Sequence, residues 1–359
     1  MSTLVWIGFC QSLFAAILLL AKRKSSVSDK ILSAWLCLLA IEFLTCALDN
    51  VIFQQPLLSS SFLLFNPALY LYVQSLTLPG FKLKAYQLLH LVPFVVFEAA
   101  AYIIQEPFSL DGFFEPNHHL TFRVLFAVAN LVSWLVYNPL SIVYVHRHRM
   151  YLRNEHSTFD KSENLGWVLS VSVFYVVYCI VAVILGVVAY LVHQYPQSPH
   201  FYNYFMLLFL VYVLSFYGLY QSELPQKLLQ KPADLIPYKN SSLNAETKQL
   251  IHQKIRNYIE KEAAYLNPDL NMDMLSAALK VPKYQLTEVL NTEIGQNFFQ
   301  FINTYRVEAV KKMLINPKNR FSIEAIGYEC GFASKSAFYT VFKSLTGQTP
   351  VSFRDAIKS

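Results

Sequence analysis

Lys335, Ser336, Tyr339, Thr340 and Lys343 share one side of a short helical pattern, and Phe338, Val341 and Phe342 share the other. The surrounding stretch, "GFASKSAFYTVFKSLTGQTPVSFR", has a tight turn, a short helix with small polar residues outside, then a Gly and a Pro. It reads as the second half of a DNA-reading unit. A similar face lies upstream: Lys283, Tyr284, Gln285, Thr287, Glu288 and Asn291 point outward, opposite Leu286, Val289 and Leu290. A third set is of another kind. Glu42, Asp49, Asn66, Glu98, Arg123 and Asn130 are polar residues inside long apolar runs, where each needs a partner or a function. Two chemistries fit them: a polar pocket taking a small ligand, or hydrogen bonding between helices with Arg123 pairing an acid. Chemistry of reaction is not indicated. There is no P-loop, nucleophile elbow or metal-ligand spacing, and the adjacent His118 and His119 lack a second ligand pair. The five cysteines form no CxxC pair. The expectation is a protein that is not an enzyme and holds no cofactor and no metal.

The elements that position the two polar faces follow from periodicity. "AETKQLIHQKIRNYIEKEAAY" sets Leu250, Ile251, Ile255, Tyr258 and Ile259 at helical spacing. Asn271 then caps a helix whose inner residues are Met274, Leu275, Ala278 and Leu279. A three-residue turn follows, and Pro282 opens the helix that carries Lys283. Two short helices joined by a tight turn, the second polar outside, form a helix-turn-helix. The design recurs, with Ser322 as first cap, Gly331 at a turn that needs a positive φ, and Ser334 as second cap. Between the copies, residues 297–315 are amphipathic, with Phe298, Ile302, Tyr305, Ala309 and Met313 on one stripe. Such a helix would be roughly 28 Å long, near the ~34 Å between successive major-groove faces of one side of a duplex.

Residues from about 249 to 354 resemble the DNA-binding domain of the AraC/XylS family of bacterial transcription regulators. The resemblance rests on "NFFQFINTYRVEAVKKML", "SIEAIGYECGF" and "SAFYTVFKSLTGQTPVSFR". It implies that the two outer faces enter adjacent major grooves. Lys283, Tyr284, Gln285, Thr287, Lys335, Ser336, Tyr339, Thr340 and Lys343 are then the readers or phosphate partners. Arg306, Gly347, Pro350 and Arg354 would hold the fold. Residues 245–359 contain fifteen Lys and Arg against eleven Asp and Glu, so non-specific affinity should be modest and salt-sensitive.

The rest of the chain differs in kind. Overall composition is 55% hydrophobic and 14% charged, and residues 3–221 carry nearly all of the apolar excess. Seven runs, at about 3–21, 31–49, 61–79, 87–104, 123–145, 167–193 and 201–220, approach the ~20 residues that cross hydrocarbon. Asn66-Pro67 is expected to break the third, and Asn138-Pro139 to kink the fifth. The first run lacks a basic segment before it and a small-residue cleavage site after it, unlike a cleaved signal peptide. Segments 22–30, 80–86 and 146–164 hold ten Lys and Arg, while 50–60, 105–121 and 194–200 hold none. That bias places the N-terminus outside and the C-terminal region in the cytoplasm.

Taken together, the residues describe an all-α chain. Residues 1–221 are a seven-span transmembrane domain, 222–244 a proline-containing linker, and 245–359 a double helix-turn-helix domain. The function expected is that of a one-component transcription regulator in the inner membrane, controlled by a signal sensed in the spans. Its partners would be promoter DNA, the lipid bilayer and an unidentified small ligand, with a homodimer left open. The layout resembles that of membrane-attached AraC/XylS relatives. The alternatives are a transporter or membrane enzyme whose tail regulates its own expression, and a passive anchor.

Overall fold

Among the described residues, helices account for every regular element in a computed structural model of the chain. It describes residues 2–23, 25–49, 57–58, 60–105, 119–159, 163–192, 198–221 and 243–358. Most of the 222–244 linker, His118 and most of the 105–121 loop lie outside the described residues. The chain divides into two units, Met1–His146 with Gly166–Leu229 and Arg147–Leu165 with Gln230–Ser359. Residues 147–165, expected to belong with the apolar helices, therefore join the C-terminal unit.

The first unit is built from α1 (Ser2–Leu20), α2 (Val27–Leu48), α3 (Phe62–Thr77), α4 (Val92–Ile104), α5 (Leu120–Glu155, up to His146), α6 (Gly166–Val192) and α7 (Ser198–Tyr220). A 3-10 turn, Ala85–Leu91, leads into α4. The seven expected runs thus fall on seven helices. Five helices among the described residues are long and apolar enough to cross a membrane. With 16 residues, α3 is shorter, about 24 Å at 1.5 Å per residue. In α6 the apolar stretch Gly166–Val181 is likewise shorter than a candidate span. Nor does α3 break at Pro67: the helix continues through it. Pro67 lies in the second turn and forfeits a single bond, to the Leu63 carbonyl.

Close approach holds this unit together. A Cβ on Gly8 would strike the Phe43 ring, and one on Gly218 would strike Leu32, so α1 meets α2 and α7 meets α2 through glycine. Ser26 and Asp29 form a reciprocal cap at the start of α2. Lys22 Nζ reaches Asp29 at 2.7 Å and the Gly218 carbonyl at 2.8 Å, so a cation sits on the negative end of α7. At the same end, Trp167 stacks on Tyr217 and donates to Gln221 at 2.9 Å. The unit buries polar side chains along with its apolar core and exposes many large apolar ones. Ser12, Ser33, Glu42, Asn66, Ser172 and Ser215 are buried, while Phe14, Ile17, Val96, Leu125, Val177 and Phe209 are exposed.

The second unit comprises the end of α5 with α8 (Ala245–Lys261), α9 (Met272–Leu279), α10 (Lys283–Val289), α11 (Phe298–Ile315), α12 (Ile323–Glu329), α13 (Lys335–Thr346) and α14 (Pro350–Lys358). It has two cores. Ile251, Ile255, Ile259, Leu275, Leu286, Val289 and Phe298 lead the first. Val307, Val310, Ile326, Phe338, Val341 and Phe342 lead the second. The two meet along α11, whose N-terminal half seals one and whose C-terminal half seals the other. Its most buried row is Phe298, Phe301, Ile302, Arg306, Val307, Val310 and Leu314. The expected stripe is therefore displaced: Tyr305, Ala309 and Met313 only flank the cores. A helix serving two cores needs a wider apolar arc than one stripe supplies.

Candidate nucleic-acid interface

The second helix-turn-helix forms as its local signals dictate. Ser322 accepts from the Ala325 amide at 3.1 Å and opens α12. Ser334 accepts from the Ala337 amide at 3.2 Å and opens α13. Between them Gly331 adopts φ 88°. A Cβ there would lie 2.5 Å from the Tyr265 carbonyl oxygen and 2.8 Å from that of Leu266, so both conformation and space require glycine. Gly327 in α12 lies flat on the Phe338 ring of α13, where a Cβ would come within 2.7 Å. Phe338, Val341 and Phe342 are buried, and Gly347, at φ 78°, closes α13.

The opposite face of α13 is available. Lys335, Ser336, Thr340 and Lys343 are exposed, and Tyr339 is half-buried with its ring against Phe338. Lys335 pairs with Glu324 and lies 5.9 Å from the Tyr339 ring centre. The bond to Glu324 raises its pKa, so it stays cationic. Two ammonium groups and two hydroxyls on one exposed helical face suit phosphates and base edges.

The first helix-turn-helix has the same frame and a different face. Asn271 accepts from the Met274 amide at 3.0 Å to start α9. Lys280, at φ 53°, ends it in the left-handed region, and Pro282 precedes α10. Tyr284 is exposed and Gln285 half-buried, with its Nε2 3.3 Å from the Tyr284 hydroxyl. Thr287, expected on the outer face, is buried beside Leu286 and Leu290, and its hydroxyl finds no partner among the described residues. Glu288 also leaves that face: it is largely buried and pairs with Lys248 of α8 at 2.9 Å. Leu250 and Met274, expected inside, are exposed.

Lys283 is engaged. Its Nζ lies 2.7 Å from Asp273 and 3.0 Å from Glu155, the last residue of α5. Burial works against its charge, but the bonds from Asp273 and Glu155 outweigh that and raise its pKa. Arg306, read as a residue that holds the fold, is fully buried. Its Nε donates to the Tyr265 carbonyl at 2.8 Å. Nη1 donates to the Ser157 carbonyl at 3.1 Å and Thr158 Oγ1 at 2.7 Å, and Nη2 to Ser157 Oγ at 3.0 Å and the Asn267 carbonyl at 2.8 Å. All five N–H donors of the guanidinium are thereby used. Burial lowers its pKa to about 10. Sequence reasoning passed over Glu155, Ser157 and Thr158, because "EHST" has no signal of its own.

The polar residues of the first unit make the following bonds. Glu42 accepts from the Ser61 hydroxyl at 2.6 Å, Glu98 from the Ser60 amide at 2.8 Å, and Asp49 from the Leu57 amide at 2.9 Å. These three acids thus bind one short segment before α3. Asn66 belongs to a different group, donating to Ser133 at 3.3 Å and accepting from Asn138 at 3.1 Å. Asn130 donates within its own helix, to the Phe126 carbonyl at 3.2 Å. Arg123 is buried. Among the described residues no group of three or more His, Cys, Asp or Glu could hold a metal ion.

A capped, glycine-dependent helix pair with an exposed basic and hydroxylic second helix defines a DNA-binding class. Residues 275–356 match the family model described as "Helix-turn-helix domain". The chain is 26% identical over 136 residues to the xylose operon regulatory protein of Escherichia coli K12, covering 38% of this chain and 33% of that protein. It is also 26% identical over 129 residues to an uncharacterised HTH-type transcriptional regulator of Staphylococcus aureus strain COL, covering 36% of this chain and 17% of that one. The chain thus spans a third or less of the length of these curated relatives. A solved protein of unknown function from Listeria innocua aligns over 30% of this chain and 96% of its own, at 24% identity and a TM-score of 0.27. The C-terminal region therefore carries an AraC-type helix-turn-helix domain, of the kind found in transcription regulators.

Proposed function

We propose that the chain is a membrane-embedded one-component transcription regulator, whose first unit senses a signal and whose C-terminal unit binds promoter DNA. The observation that carries the DNA half is α13: Phe338, Val341 and Phe342 seal the core while Lys335, Ser336, Thr340 and Lys343 stay exposed. The membrane half is supported by the many large apolar side chains that the first unit exposes, since exposed Val, Ile, Leu and Phe are tolerable in lipid and unfavourable in water. Lys22, Trp167 and Gln221 gather at one end of that unit, and Leu57 and Ser60, bound by Asp49 and Glu98, belong to the 50–60 segment, which holds no Lys or Arg. This pattern supports a cytoplasmic C-terminal unit. The acids Glu42, Asp49 and Glu98, together on one segment, are the place where a small ligand would act. Their hydrogen bonds serve equally as bonds between helices.

Full-length protein in lipid nanodiscs, used to capture fragments of its own genome, tests this reading. Reproducible enrichment of a few sites, lost on K335Q/K343Q substitution, is the expected result. Capture that is uniform across the genome, or unaffected by the substitution, contradicts it.

A further inference from the structure

The C-terminal unit contains a segment from the middle of the chain, and it touches a residue of the first DNA-reading helix. Ser157 and Thr158 supply three of the five acceptors around the buried Arg306. The Ser157 carbonyl also accepts from Asn303 at 2.9 Å, and its hydroxyl donates to the Leu270 carbonyl at 2.5 Å. Phe159 packs on Phe299 with ring centres 4.7 Å apart. These contacts fix the segment beside α9 to α11. A buried guanidinium left without three of its partners would be costly, which favours keeping the segment in place.

Two residues before the anchor's first residue, Ser157, α5 ends in Glu155. A carboxylate at the negative end of a helix is unfavourable unless a cation meets it. Lys283 is that cation, at 3.0 Å, and the Glu155 side chain is only 11% exposed. Its other partner, Asp273, is 70% exposed and correspondingly screened. Lys283 opens α10, the position from which the first helix-turn-helix would meet a phosphate.

We propose that Glu155 is a built-in competitor for DNA: it occupies Lys283, so that the first helix-turn-helix contributes weakly until Glu155 is withdrawn. This rests on the DNA-binding reading given above. The occupant of the site is a segment of the same chain, and α5, which continues from the apolar helices to Glu155, is the element that would withdraw it. The two helix-turn-helix motifs then have unequal roles. The second keeps its basic face in solvent, where the Lys335–Glu324 pair is exposed and screened, and the first is conditional.

The test uses full-length protein in nanodiscs and a randomised 40-base-pair duplex pool as probe, with affinity measured against salt. Glu155→Gln keeps the shape and removes the charge. Freeing one phosphate contact should tighten binding roughly 3–10-fold near 0.1 M salt and steepen the slope of log K against log salt by about one. The double variant E155Q/K283Q should lose that gain. Should E155Q not be recovered folded, E155A is read the same way. Unchanged or weaker duplex binding in E155Q, while wild type still binds and K335Q/K343Q does not, overturns the proposal and leaves the DNA reading standing. Absence of duplex binding in wild type and E155Q alike defeats the DNA reading, and the proposal with it.

Discussion

Two glycines separate the cost of a backbone conformation from the cost of a collision. Gly331 and Gly347 have nearly the same positive φ, 88° and 78°. At Gly347 an added Cβ meets nothing within 4 Å, whereas at Gly331 it meets the carbonyl oxygens of Tyr265 and Leu266 at 2.5 and 2.8 Å. Gly347→Ala should therefore cost only the left-handed backbone, about 1–2 kcal/mol. Gly331→Ala adds overpacking against rigid backbone, about 1–3 kcal/mol more. Both carbonyls belong to the 3-10 turn Ala264–Leu266, whose Tyr265 oxygen also accepts from Arg306, so neither can retreat freely. Urea titration of the full chain in nanodiscs reads the difference, with unfolding followed by hydrogen exchange of peptides from α11 to α13. The midpoint should fall further for Gly331→Ala than for Gly347→Ala. Equal shifts would refute the packing account of this turn.

Three further outcomes follow from the same geometry. Thr287→Val removes a buried hydroxyl without a partner among the described residues, so stability should hold or rise by about 1 kcal/mol, with duplex affinity unchanged within about twofold; a large loss of affinity would restore Thr287 as a DNA contact. Ser334→Ala deletes the cap of α13 and should cost about 1 kcal/mol, read as faster hydrogen exchange in the first turn of that helix. Cys330 is buried, and burial with Glu329 nearby pushes its thiol up to about 11. It should resist alkylation at pH 8 until urea unfolds the C-terminal unit, and rapid labelling of native protein would contradict its placement.

Local signals were legible in the sequence. The caps Asn271, Ser322 and Ser334 and the turn at Gly331 act on neighbours a few residues away, and each stands where its residue type placed it. Helix existence was equally readable. The faces of short helices were less so, since α10 has only seven residues and its inner arc depends on what lies beside it. Thr287 is buried and Glu288 paired because α8 approaches from the side. The 155–159 segment was not readable at all. Ser157 meets Leu270 and Arg306 across 113 and 149 residues of chain, and no periodicity or motif in "EHST" announces such partners.

The account stands most directly on α13 as the DNA-reading helix. Binding of the randomised duplex to full-length protein in nanodiscs, titrated with salt, measures it. Lys335 and Lys343 are both exposed on that face, so K335Q/K343Q should flatten the log–log salt slope by about two and weaken binding at low salt by more than tenfold. An unchanged slope and affinity in a variant that unfolds at the wild-type midpoint would contradict the central claim.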